Sequence, residues 1–391
     1  MEVRAEGENV GYVVRYAASG VNVYSDASCT GTAIATLPNG TALTVLGGPW
    51  NRAVLVQTTD TGIQGYVDVQ YVKRTDAIVQ ESERYTYDEM VEDVVLLSQR
   101  YPDLLRVNAY PAPTADGRML YDLAIGSATA PKTMLVHAGI HAREDINPLL
   151  IMEQLEMCLD FYYSGSYQQY TYEQLFQTIC IHIVPMVNPD GISISQLGEK
   201  GIRTPEILQL IRNCYQNDKN SRRTKADYGT YLTQWKANAK GVDLNRNFEV
   251  GFGYGATVLQ PSSKNYPGIC PGSEVESQFM MNLVAQIQPS AVINYHSMGE
   301  VMYWQCVENK YSAENREYAN LMAGLTGYYK MQGQKSNGGF LEYVLGRGNK
   351  VYAVTLETGP IACPLSIKYY PEIWSKNYMA WLVAAEYLYA H

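Results

Sequence analysis

The sequence predicts an α/β domain on a substantially parallel sheet, preceded by a small all-β module. Three observations carry this. From about Tyr85 onward, apolar β-rich runs alternate with stretches of helical spacing, the order that builds strands joined by helices. Before that point, residues 11–74 hold only short alternating runs broken by turn residues, which is how a small barrel reads. Finally, 391 residues with 46% apolar and 18% charged content suit a globular chain of about two domains.

Residues 1–10 form a polar tail without the character of a signal peptide. In 11–74 the strands come from GVNVYSD, TAIATLPNGTALTVLG and GIQGYVDVQYVK, with Asn39-Gly40 as a hairpin turn. Residues 75–84, TDAIVQESER, are polar enough for a short linker. Residues 85–391 make up the larger domain. Its first helix opens on a capping box, Thr86 with Glu89, continues through Met90, Val94 and Leu97, and closes before Pro102. Two strands, 105–110 and 120–125, lead into TMLVHAGIHARE, residues 133–144. Here Met134, Leu135 and Val136 read as a buried strand emptying into a small-residue loop that carries His141 and Glu144.

A helix over 148–163 follows, with Pro148 tolerated in its first turn. The strand 180–184 ends at Pro185 and NPDG (188–191), read as a turn. A helix over 202–215 and a surface loop over 216–231 precede WKANAKGVDLNRNF, residues 235–248, where Asp243, Asn245, Arg246 and Asn247 crowd beside apolar neighbours. GFGYG at 251–255 reads as a flexible loop and not a phosphate cradle, because no helical pattern opens behind it. A helix spans 274–287. Strands at 291–295 and 351–356 deliver His296 and Glu357.

Composition excludes several classes. A net charge of -9 with no basic stripe argues against nucleic acid, and no run approaches the ~18 apolar residues of a membrane span. Seven cysteines without a C-x-x-C pair offer no thiolate zinc site, and the odd count leaves at least one free thiol. Buried reduced cysteine is the plain reading, with Cys214, Cys270 and Cys306 the candidates for a disulfide as the alternative. The 33 tyrosines against 6 phenylalanines suit either stacking surfaces or tyrosine-built cores.

The chemistry gathers at the carboxyl ends of predicted strands, where open α/β sheets collect ligands. His141, Glu144 and His296 make a His2Glu set for one zinc ion with an open position, and Glu357 remains as a carboxylate free to act as general base toward an attacking water. Amide hydrolysis is the natural reaction class. His137 and His182 lie within strands and read as core histidines, and His391 is the last residue. Arg246, helped by Asn245, is the candidate clamp for a substrate carboxylate. Arg143 stands between two proposed ligands, and Lys236 is placed to face an oxyanion.

With YTYDEM, GIHARE, NPDG, GVDLNRNF, YHS and TLETG in order from Tyr85 to the C-terminus, the chain resembles the zinc metallocarboxypeptidases of the carboxypeptidase A type. The resemblance implies a mixed eight-stranded sheet flanked by helices. It also implies zinc on His141, Glu144 and His296, Glu357 as base, Asn245 and Arg246 on the substrate's terminal carboxylate, and Arg143 in a neighbouring subsite. Lys236 falls where the family usually has an arginine that polarises the scissile carbonyl. The family's mobile-loop tyrosine has no counterpart: Gln334 falls near its place before Gly338-Gly339, while Tyr328, Tyr329 and Tyr343 lie off it. At the base of the side-chain pocket Leu341 is nearest by count, with Glu342 adjoining.

Residues 11–74 resemble bacterial SH3-like domains, with Tyr24 where many carry a basic residue. The pairing of the two resembles γ-D-glutamyl-meso-diaminopimelate peptidases. This implies a secreted or cell-wall-associated bacterial enzyme cutting stem peptides, with possible contact of residues 11–74 to wall glycan. The alternatives are a general carboxypeptidase of L-peptides and an inert wall-binding protein.

Overall fold

The computed structural model describes residues 11–331 and 337–391; the tail 1–10 and Gln334 lie outside them. The first seven strands are β1 (Tyr12–Val14), β2 (Val21–Val23), β3 (Ala35–Leu37), β4 (Ala42–Trp50), β5 (Ala53–Thr58), β6 (Gln64–Asp68) and β7 (Val72–Arg74). They are short, antiparallel and alternately buried; Val54, Val56 and Val67 face inward with no exposed surface. Residues 75–84 are irregular but tightly held: Glu156 accepts the backbone N–H groups of Ile78 and Val79 at 2.7 and 3.0 Å.

The larger unit opens with α1 (Tyr87–Arg100), on the Thr86–Glu89 capping box expected from the sequence. In chain order there follow β8 (Leu105–Ala109), β9 (Tyr121–Ile125), β10 (Lys132–His137), α2 (Ile146–Asp160), β11 (Ser166–Tyr167), β12 (Tyr170–Thr171), α3 (Tyr172–Thr178) and β13 (Ile179–Val184). Then come α4 (Pro189–Leu197), α5 (Pro205–Asn220), α6 (Tyr228–Thr233), α7 (Val275–Ile287), β14 (Ala291–His296), β15 (Val301–Tyr303), α8 (Ser312–Thr326), β16 (Tyr329–Met331), α9 (Phe340–Gly346), β17 (Tyr352–Glu357), α10 (Tyr370–Asn377) and α11 (Ala380–Ala390).

Among the described residues eight strands form one mixed sheet in the order β16-β15-β17-β14-β10-β13-β9-β8. Its centre, β17-β14-β10-β13, is parallel and largely buried, as the continuous apolar runs require. The flanks turn antiparallel, at β9 against β13 and at β15 against β17. The sheet is therefore mixed, as the family resemblance implies, with one further parallel pair at its edge, β15 with β16.

Two local readings are corrected, and the reduced reading of the cysteines holds. NPDG is a helix start: Asn188 caps α4 by accepting the Gly191 N–H at 3.0 Å, with Pro189 at the first helical position. The surface loop over 216–231 is shorter than expected, because α5 runs on to Asn220 and α6 begins at Tyr228. The Cys214, Cys270 and Cys306 thiols are all free, as are the other four.

Helix α2 is buried on every side from Ile146 to Leu159. Its acidic residues meet the N-terminal unit: Glu153 sits 2.9 Å from Arg15 and 2.6 Å from Lys73, and Tyr370 donates to it at 2.8 Å. Tyr378 donates to Asp68 at 2.9 Å and Trp374 to the Gln70 carbonyl at 3.1 Å. The hairpin β11-β12 joins the N-terminal sheet outright, with Ser166 opposite Trp50 on β4.

Candidate active site

β10 ends in a loop that needs glycine at 139: its φ is +67°, and a Cβ there would meet the Ile192 side chain at 2.8 Å. The loop is then fixed by backbone bonds, Val187 to Ala138 at 3.0 Å, Asn188 to Gly139 at 3.0 Å and Ala142 to Lys236 at 3.2 Å. The Asn188 amide adds bonds to the Ile140 and Ala237 carbonyls. One asparagine thus ties the GIHARE loop to the WKAN segment.

His141, Glu144 and His296 converge, each 5% exposed or less. His141 Nδ1 lies 2.9 Å from Glu144 Oε1, His296 Nδ1 lies 3.0 Å from Glu144 Oε2, and the two Nδ1 atoms are 3.1 Å apart. In a tetrahedral zinc site with bonds near 2.0–2.1 Å, ligand atoms sit roughly 3.3 Å apart. The observed edges are close to that, and two imidazole nitrogens with a carboxylate are the donors zinc prefers, so the residues fit the metal. Burial would raise the Glu144 carboxyl, but the two imidazoles outweigh it and hold the group below the usual carboxylate range. The Ser297 N–H donates to Glu144 Oε2 at 3.2 Å. Behind it Asn147 donates to the Ser297 hydroxyl at 3.0 Å and accepts from Thr358 at 2.7 Å.

Glu357 is the register partner of His296 across the parallel ladder of β14 and β17, so it arrives beside the triad without belonging to it. Burial pushes its carboxyl up to about 7, against the pull of the His296 imidazole. A cavity of about 200 Å³ is lined by His141, Glu357, Lys236, Asn245, Arg246 and Glu342. Tyr303, Cys306, Leu341 and Thr355 complete much of its wall.

The Gly338-Gly339 pair shapes the far end. Gly338 has φ +91°, and a Cβ on it would lie 2.5 Å from the Arg246 carbonyl oxygen. The chain can therefore pass tightly over the Asn245–Arg246 turn, where Asn245 Oδ1 accepts the Phe340 N–H at 2.9 Å. That bond leaves the Asn245 amino group for the cavity. Arg143 does not line the cavity; its Nη1 donates to Gln234 at 3.0 Å.

Asp243, noted in the sequence only as part of a polar cluster, is the residue that reading missed. It has no exposed surface. Its Oδ1 lies 3.3 Å from His141 Nε2, and its Oδ2 is 3.8 Å from Lys236 Nζ and 3.6 Å from Arg246 Nε. Burial opposes ionisation, yet Lys236 and His141 hold the carboxyl far below its ordinary value. The signal that could have found it is the need of a metal-bound histidine for a carboxylate on its other nitrogen.

His137 is a core histidine as expected, buried edge-on against Phe340 with ring centroids 4.7 Å apart.

Comparison with known proteins agrees with this geometry. Residues 90–371 match the zinc carboxypeptidase family. The chain is 30% identical over 195 residues to the uncharacterized protein YqgT of Bacillus subtilis, covering 48% of this chain and 47% of that one. It is 25% identical over 312 residues to gamma-D-glutamyl-L-diamino acid endopeptidase 1 of Lysinibacillus sphaericus, covering 76% and 72%. The crystal structure of carboxypeptidase A from Helicoverpa armigera superposes with a TM-score of 0.59 at 15% identity, over 96% of each chain, which shows the shared fold. With the metal triad, the strand order and the matched span in agreement, this chain belongs to the zinc carboxypeptidase family.

Proposed function

We propose that this peptidase cuts bacterial cell-wall stem peptides at the amide joining γ-D-glutamate to diaminopimelate. The observation that carries the reading is the make-up of the cavity wall: besides Glu357 and His141 it holds a guanidinium, Arg246, and a second carboxylate, Glu342. A diaminopimelate side chain carries its own amine and carboxylate, so a pocket offering both a cation and an anion suits it. The Lysinibacillus relative, by its name, acts on a bond of the same chemistry.

Zinc held by His141, Glu144 and His296 would supply Lewis acidity and make water reactive near neutral pH. Glu357 takes the proton of the attacking water and returns it to the leaving amine. Lys236 faces the charge that builds on the carbonyl oxygen. Arg246 and Asn245 hold a substrate carboxylate, which fixes the scissile bond in register with Glu357. Arg143, bonded to Gln234, borders a more distant subsite.

Residues 11–74 are read as the SH3-like barrel, 75–84 as the connection and 85–391 as the catalytic domain. The barrel would touch wall glycan, in an enzyme secreted or associated with the wall. The test is incubation of the zinc-loaded protein with L-Ala-γ-D-Glu-meso-diaminopimelate. Release of diaminopimelate is expected, and an intact tripeptide would sink the reading. Removal of C-terminal residues from ordinary L-peptides, with stem peptides untouched, would instead favour the general carboxypeptidase.

A further inference from the structure

The sheet carries a second cluster of reactive side chains, near the start of β13 and away from the strand ends that hold the metal triad. Cys180 and His182 project from β13, Asp122 from β9, and Arg106 and Asn108 from the edge strand β8, all on one face by register. His182 Nδ1 is 3.0 Å from each Asp122 oxygen, and its Nε2 is 3.6 Å from Cys180 Sγ. Arg106 donates an Nη2–H to the same sulfur at 3.1 Å. Asn108 donates to Asp122 at 3.3 Å, steadying the carboxylate that orients the ring.

Burial alone would lower the imidazole, but its bonds to Asp122 and Cys180 override that and push it up to about 9. At neutral pH the ring therefore carries both protons, with Nε2–H aimed at the sulfur. Two cationic side chains thus present N–H groups to one sulfur atom, the kind of setting in which reactive cysteines sit. The buried Cys158, Cys214 and Cys363 thiols and the half-buried Cys306 lack it: burial pushes each upward, toward an inert protonated form.

We propose that Cys180 is a reactive thiolate, activated by Arg106 and His182, that hydrogen peroxide oxidises to the sulfenic acid. The sulfur attacks the nearer peroxide oxygen; the S–O bond forms as the O–O bond breaks. The departing hydroxide takes the Nε2 proton of His182 and leaves as water, so the sulfur loses two electrons and the peroxide gains them. Cys180 is only 3% exposed, which keeps bulky electrophiles out. The His182 side chain retains 14% exposure, and hydrogen peroxide would enter along it.

The test uses the zinc-loaded full chain. It is treated with limiting hydrogen peroxide, then quenched into denaturant containing dimedone, so that trapping does not depend on access. Peptide mapping should place the adduct on Cys180 while Cys158 and Cys214 stay unlabelled. Arg106→Met and His182→Asn should each slow Cys180 labelling about tenfold or more, with labelling of exposed Cys270 unchanged as the internal standard. Labelling confined to Cys270, or an unaltered Cys180 rate in both variants, would overturn the proposal. Should a variant fail to fold, the wild-type ranking of Cys180 against Cys158 and Cys214 decides it alone.

Discussion

Asp243 Oδ1 lies 3.3 Å from His141 Nε2, and through its other oxygen the same carboxylate faces Lys236 and Arg246. One buried acid thus orients a metal ligand and places two cavity cations. Asp243→Asn keeps the shape and removes the charge. Zinc affinity, read by chelator competition, should fall about 10–100-fold. Unchanged affinity would mean that the contact is incidental.

Glu357→Gln should retain full zinc content and lose roughly 10²–10⁴-fold in kcat. As the proposed base, Glu357 must be ionised for activity. Burial raises its carboxyl, so the acid limb of kcat/KM should lie above 4.5, the ordinary value, with activity lost as pH falls through it. Near-full turnover by the variant would remove Glu357 from its role.

Arg246→Lys keeps the charge and loses the paired N–H fork. A loss of about 1.5–3 kcal/mol in kcat/KM is expected, chiefly through KM, on substrates with a free carboxylate in that position. Glu342→Gln should weaken only substrates whose side chain carries an amine; equal loss on amine-free peptides would show that Glu342 serves the fold.

The His182–Asp122 pair makes stability depend on pH. The folded imidazole is raised from 6.5 to about 9. Its contribution, about 3 kcal/mol at most, is fully present below 6.5 and disappears as pH rises through 9. Wild type and Asp122→Asn should therefore differ most in denaturant midpoint near pH 6 and converge by pH 10. A constant gap would assign the effect to packing.

Much of the site was legible because the chemistry sits at strand ends. The runs before His141, His296 and Glu357 are apolar enough to mark β10, β14 and β17, and the sheet brings their ends together. Asp243 was not legible as a partner, because its contacts come from segments folded against it and not from spacing. NPDG read as a turn since Asn and Pro favour turns and helix starts alike; only the bond from Gly191 to Asn188 separates the two. Nothing in the sequence marks Glu153 and Glu156, because their partners, Arg15, Lys73 and the 78–79 backbone, lie more than seventy positions away. The strands β11 and β12 are two residues each, too short to leave a periodic trace.

That hairpin bears on how the chain comes apart. Since β11 continues the sheet of β4, and Glu153 is gripped by Arg15 and Lys73, no cut near residue 75 separates two self-sufficient bodies. A truncated catalytic portion would carry a bare strand edge and an uncompensated acid, both of which promote aggregation or collapse. The unit of cooperative melting is then the whole described chain, and a calorimetric scan should show one endotherm where a bead-and-string arrangement would show two.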